Sequence, residues 1–269
     1  MKFSIFLTEP LPSINFLLSV IFFNTFVDLG HKILLQDTLF RTSHSHDYLI
    51  YSSILSAFIL LPYIFLFTPS GFISDKFSKP KVMFWTALSA VPIFILITIF
   101  YYLGYFWPAY FLTLLLGVQS AINSPAKYGH IKEIYSKSDI ARANAITQTI
   151  VMVAILLSAG IFTFLFSQYV PDASVSKALT KGEILKMFAP LGFILILLSS
   201  LETVSTLLLA KRESADPDSE YVIKDYIKLT YLKRYWGHIF NNRIIFVEFI
   251  SRTGTNFVFY FLARSKCNE

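Results

Sequence analysis

The chain has 269 residues, of which 55% are hydrophobic and 15% charged, with a formal net charge of +6 and a mean hydropathy of +0.58. A soluble domain carries about a quarter of its residues charged, so this deficit excludes an ordinary water-soluble fold and places most of the surface in lipid. The basic excess falls in loops between apolar runs, which excludes nucleic acid as a partner, and the lone Cys267 excludes a disulfide framework or a cysteine metal site.

Met1 to Pro12 has one Lys, two prolines and no small-residue cleavage site, so it is not a signal peptide. Six apolar runs then follow, over 13–35, 48–68, 82–103, 106–124, 143–168 and 187–210. Each is long enough for the roughly 20 helical residues that cross a hydrocarbon core. A weaker seventh runs from Ile244 to Ala263. No alternating ten-residue segments of a membrane barrel are visible. The sequence therefore predicts an all-α membrane bundle. Its parts are a six-helix body over 1–210, a polar connector over 211–243, and a partial seventh helix with an aberrant tail over 244–269.

Loop charge predicts orientation. Lys76, Lys79 and Lys81 follow the second run; Lys127, Lys132, Lys137 and Arg142 follow the fourth. Lys211, Arg212, Lys224, Lys228, Lys233, Arg234 and Arg243 follow the sixth. The alternate loops hold only Arg41, Lys177, Lys181 and Lys186. The N-terminus and the basic loops are thus expected in the cytoplasm.

Ionisable groups in hydrocarbon cost several kcal/mol unless paired or hydrated. Asn24, Asp28 and Lys32 stand at i, i+4 and i+8 with His31 beside them, one polar stripe on the first helix. This stripe reads either as cavity lining or as an Asp28–Lys32 ion pair near the helix end. Glu202 in the sixth run has Ser199, Thr203 and Thr206 on its side. Gln119 with Asn123, and Asn144 with Gln148, are further i, i+4 pairs, read as pathway lining or as interhelical hydrogen bonding. His44 and His46 beside Asp47 read as a solvated loop. No metal site, cofactor motif, HEXXH or P-loop occurs.

Two motifs add a resemblance. Gly71-Phe-Ile-Ser-Asp75-Lys76-Phe-Ser-Lys79-Pro-Lys81, between the second and third runs, resembles the signature loop of the major facilitator superfamily, although Ser78 replaces its second glycine and Pro80 interrupts its basic run. There Gly71 is expected to allow close helix approach, and Asp75, with Lys76 and Lys79, to latch one conformation. Gln119-Ser120-Ala121, then Pro125-Ala126-Lys127-Tyr128-Gly129, then Ala143-Asn144-Ala145, resembles the bacterial lysophospholipid transporters. The same module forms the N-terminal part of fusions with an acyl-ACP–phospholipid O-acyltransferase. Phe26-Val27-Asp28 also resembles an element of that family. The resemblance covers 15–245 and is strongest in 68–81 and 115–150.

It implies flipping of lysophospholipids, chiefly lysophosphatidylethanolamine, across a bacterial inner membrane. The partners it implies are the bilayer, the lysolipid, and a missing C-terminal half or acyltransferase module. An exporter of drugs or metabolites is the other transporter reading. A membrane acyltransferase would need His-x-x-x-x-Asp, which no histidine here begins. The ending FLARSKCNE reads as arbitrary, so the chain is expected to be a truncated copy that would need dimerisation to work alone.

Overall fold

The computed structural model describes residues 11–135, 139–171 and 179–209. All of them lie in the first of two compact units, Met1–Ser219 and Glu220–Glu269. The expected connector, seventh helix and tail fall outside the described residues.

Among the described residues there are eight helices: α1 (Leu11–Thr42), α2 (Ser45–Phe65), α3 (Phe67–Lys76), α4 (Lys79–Leu103), α5 (Phe106–Ile134), α6 (Ile140–Tyr169), α7 (Lys181–Phe188) and α8 (Leu191–Leu207). α1, α2, α4 and α6 are each long and apolar enough to cross a membrane, and α7 with α8 makes a fifth span bent by 59°. α5 is as long, with 29 residues. Its second half is too polar to pass as a continuous apolar run, because Gln119, Ser120, Asn123, Lys127 and His130 are buried against other helices. The outside of the bundle is apolar: Leu156, Ile64 and Phe40 are among many large side chains left exposed. This is a multi-pass membrane protein.

Several boundaries differ from the sequence expectation, each for a local reason. α1 continues past residue 35 because Thr38 and Thr42 return their hydroxyls to carbonyls one turn back, while Gln36 donates to Ser52 on α2 at 3.2 Å. The second span breaks at Leu66, between Pro62 inside α2 and Pro69, which has no N–H to donate across the break. Gly71, Asp75 and Lys76 consequently lie on a helix rather than in a loop, and only Phe77 and Ser78 separate α3 from α4. Pro80 sits in the first turn of α4, where its missing N–H costs nothing. α5 runs ten residues beyond the expected end, through Pro125, so the Pro125–Gly129 segment is helical too. The sixth span bends at Ala189–Pro190, after a short α7 opened by a reciprocal Thr180–Glu183 capping box.

The main packing pairs are α4 with α5, α1 with α6, α4 with α8, α1 with α8, and α2 and α3 with α5. Exchanging the first three spans for the last three maps this pattern onto itself: α1 on α6 becomes α5 on α2–α3, α4 on α5 becomes α8 on α1, and α4 on α8 is unchanged. That is the internal symmetry of a repeat of three helices within a six-helix body.

In lipid the helices gain little from hiding apolar surface, so close packing and interhelical hydrogen bonds hold them. Ser158 Oγ of α6 donates to the Phe26 carbonyl of α1 at 2.7 Å. Tyr110 Oη of α5 donates to the Tyr51 carbonyl of α2 at 2.6 Å. At the α2–α5 crossing, a Cβ on Gly117 would stand 2.6 Å from the Phe58 carbonyl oxygen and 3.2 Å from Ile59 Cα. Pro62 cannot donate to that carbonyl, and only glycine lets α5 approach it so closely.

Candidate functional site

Three helices bring polar side chains together inside the bundle. α1 contributes Asn24 and Asp28. α5 contributes Ser120, Asn123 and Lys127, whose spacing of i, i+3 and i+7 sets them on one face. α8 contributes Glu202. Ser120 Oγ donates to Asp28 Oδ2 at 2.5 Å, and it also stands 3.0 Å from the Gln119 amide oxygen. Lys127, 8% exposed, interacts electrostatically with both Glu202 and Asp28. Asn24 stands beside Glu202, which is 1% exposed. Tyr63 of α2 faces the same cluster, within electrostatic reach of Asp28.

The cluster is built for function more than for stability. A buried carboxylate, Glu202, and a half-buried one, Asp28, share one buried ammonium, and even balanced buried pairs often fail to recover their desolvation cost. Several polar atoms have no partner among the described residues: Glu202 Oε1, Ser199 Oγ, Gln119 Nε2 and both amide atoms of Asn123. Each such buried group costs about 1–3 kcal/mol. Chemically, the site offers a cation to a phosphate and carboxylates to an ammonium, with amide and hydroxyl groups to orient either.

A second constellation joins the two sequence motifs at the basic end. Lys79, at the start of α4, passes across Gly129 and forms an ion pair with Glu133 on the next turn of α5. The other Glu133 oxygen lies 3.2 Å from His130 Nδ1. A Cβ on Gly129 would stand 2.5 Å from Lys79 Cε, so a larger residue here would displace the Lys79 side chain. Gly71 is not such a position: a Cβ there meets nothing within 4 Å. The expectation for Gly71 is corrected accordingly, because α3 presents it to open space. Asp75 is exposed on the last turn of α3 and has no ion pair among the described residues. Lys76 lies 5.5 Å from the centre of the Phe72 ring.

The other sequence candidates are dispersed. His31 is fully buried, with Nδ1 2.6 Å from Tyr101 Oη and Nε2 3.0 Å from Thr113 Oγ1, which makes it a joint between α1, α4 and α5. Lys32 is half-buried and makes no ion pair with Asp28; burial of the Asp28 carboxylate beside Ser120 takes it to α5 instead. Asn144 and Gln148 are exposed on α6, and Gln148 Nε2 donates to Tyr128 Oη at 3.4 Å. Lys127 Nζ lies 5.6 Å above the Tyr128 ring, and Pro125 is half-buried one turn earlier. Lys127 was expected in a basic loop. Its spacing from Ser120 and Asn123 was the signal that it belongs to the helix face.

A six-helix membrane body with an internal repeat and a charged cluster between its helices defines a membrane transporter. The chain matches the family model described as Major Facilitator Superfamily over residues 15–264, and it belongs to that family. No curated protein matches it, and no solved structure does.

Proposed function

We propose that this transporter moves a zwitterionic lysophospholipid of the lysophosphatidylethanolamine type across the bacterial inner membrane. The observation that carries the reading is the convergence of Asp28, Lys127 and Glu202 with Ser120 and Asn24, both charge signs held in one buried cluster. Lys127 takes the phosphate through charge-assisted hydrogen bonds. Asp28 and Glu202 take the headgroup ammonium, and the unpartnered amides of Gln119 and Asn123 orient it. The single acyl tail stays among the aromatic and aliphatic helix faces.

Transport in this fold proceeds by rocking of two six-helix bodies about a central site. The described helices form one such body. Exposed Asp75 latches against that second body, while the Lys79–Glu133 pair keeps α4 and α5 rigid within the first. The asymmetry of loop charge supports a cytoplasmic N-terminus and basic end.

The test is uptake of labelled lysophosphatidylethanolamine by cells producing the transporter with its partner body, with membrane levels checked by immunoblot. Saturable uptake that Asp28→Ala abolishes at unchanged protein level supports the reading. Efflux of drugs or metabolites with no response to lysolipid refutes it in favour of an exporter.

A further inference from the structure

A second concavity lies on the side of the bundle where α3, α4 and α5 meet. It measures about 520 Å³, and its walls are apolar, formed chiefly by Ile73, Trp85, Ile93, Leu115, Val118 and Ile122. This is within the size range of sites that hold a small molecule. Trp85 and Leu115 are exposed, so the groove opens sideways to the lipid rather than into the bundle.

Its length and its polar points identify an occupant. Lys81, Trp85, Ser89 and Ile93 all line it and stand at i, i+4, i+8 and i+12, so it follows one face of α4. At 1.5 Å per residue that is about 18 Å, close to the ~15 Å depth of one leaflet of a 30 Å core. A transmembrane helix would need twice the length, whereas one acyl chain of one leaflet fits. Lys81 is exposed at the basic end and has no ion pair among the described residues, its neighbour Lys79 being held by Glu133. Gln119 also lines the groove, at its boundary with the charged cluster.

We propose that this groove holds one acyl chain of a resident anionic diacyl phospholipid. The headgroup phosphate sits on Lys81. The lipid fills the wedge between α3, α4 and α5, beside the Phe77–Ser78 turn that joins the motif helix to α4. The site is separate from the transported substrate and stands or falls independently of the lysolipid reading.

The experiment uses the full chain with Trp107→Phe and Trp236→Phe, leaving Trp85 as the reporter, in phosphatidylcholine vesicles. Brominated phosphatidylglycerol and brominated phosphatidylcholine are titrated separately as quenchers. Half-maximal quenching is expected at an about fivefold lower mole fraction of phosphatidylglycerol, the contribution of one basic residue at the surface. Lys81→Gln should erase that difference, and Ser89→Phe, a substitution at an exposed position in the groove, should lower quenching by both lipids. Native mass spectrometry of the chain with all its tryptophans should show one retained phosphatidylglycerol that Lys81→Gln loses. Equal quenching by the two lipids, a preference that survives Lys81→Gln, or no effect of Ser89→Phe would overturn the proposal.

Discussion

The same substitution at two helical glycines should have opposite effects. Replacing glycine by alanine inside a helix gains up to about 1 kcal/mol in backbone propensity. At Gly160 of α6 a Cβ meets nothing within 4 Å, so Gly160→Ala should keep that gain. At Gly117 the new Cβ would lie 2.6 Å from the Phe58 carbonyl oxygen and 3.2 Å from Ile59 Cα. Both are backbone atoms, so no side chain can swing aside, and relief requires α2 and α5 to separate by roughly 0.8 Å to reach ordinary contact. Overpacking of this kind costs about 1–3 kcal/mol, which offsets the propensity gain and leaves a net loss of up to about 2 kcal/mol. At about 2–4 °C per kcal/mol for a body of this size, Gly117→Ala should lower the melting temperature by up to roughly 8 °C. Gly160→Ala should hold or raise it. The assay is thermal unfolding in detergent followed by size-exclusion fluorescence. A Gly117→Ala protein that melts with or above Gly160→Ala would refute the close crossing of α2 and α5.

Further outcomes follow from the charged groups. A cysteine at Ser78 should label only from the cytoplasm and one at Ser45 only from outside, as measured with an impermeant maleimide on intact cells; the reverse would overturn the orientation. Asp28→Glu should keep partial lysolipid uptake where Asp28→Ala keeps none, since charge survives and only its position shifts. Normal uptake by Asp28→Ala would remove Asp28 from the pathway. Lys79→Met should destabilise the bundle by about 1–3 kcal/mol by leaving half-buried Glu133 without its cation. Glu133→Gln in the same background should recover part of that loss, and strict additivity in this double-mutant cycle would contradict the pairing.

Much of the architecture was readable from hydrophobic length alone, because a lipid-exposed helix must be apolar around its whole circumference. The sixth-span bend was also signalled in the sequence, by Pro190 inside an apolar run. The end of α5 was not legible. Pro125, Lys127 and His130 resemble a loop when read singly, and they are helical because Glu133, Glu202 and Asp28 receive the two basic groups inside the bundle. For the polar cluster, the stripe rule marked Asn24, Asp28 and Glu202 on their separate helices, and the fold brings them together. Lys32 is nearer to Asp28 in sequence, but it is Lys127, from another helix, that lies within electrostatic range of both carboxylates, a relation that only tertiary packing creates. The same reason explains Gly129, whose close partner Lys79 lies fifty residues away.

The central claim is that Asp28, Lys127 and Glu202 form the headgroup site, and photo-crosslinking tests it most directly. Purified protein is irradiated with lysophosphatidylethanolamine carrying a diazirine near its headgroup, then digested and mapped by mass spectrometry. The account predicts adducts in the α1 segment around Asp28 and the α5 segment around Ser120–Lys127, competed by unlabelled lysolipid and lost in Lys127→Gln. Adducts that fall elsewhere, resist competition, or persist unchanged in Lys127→Gln would contradict it.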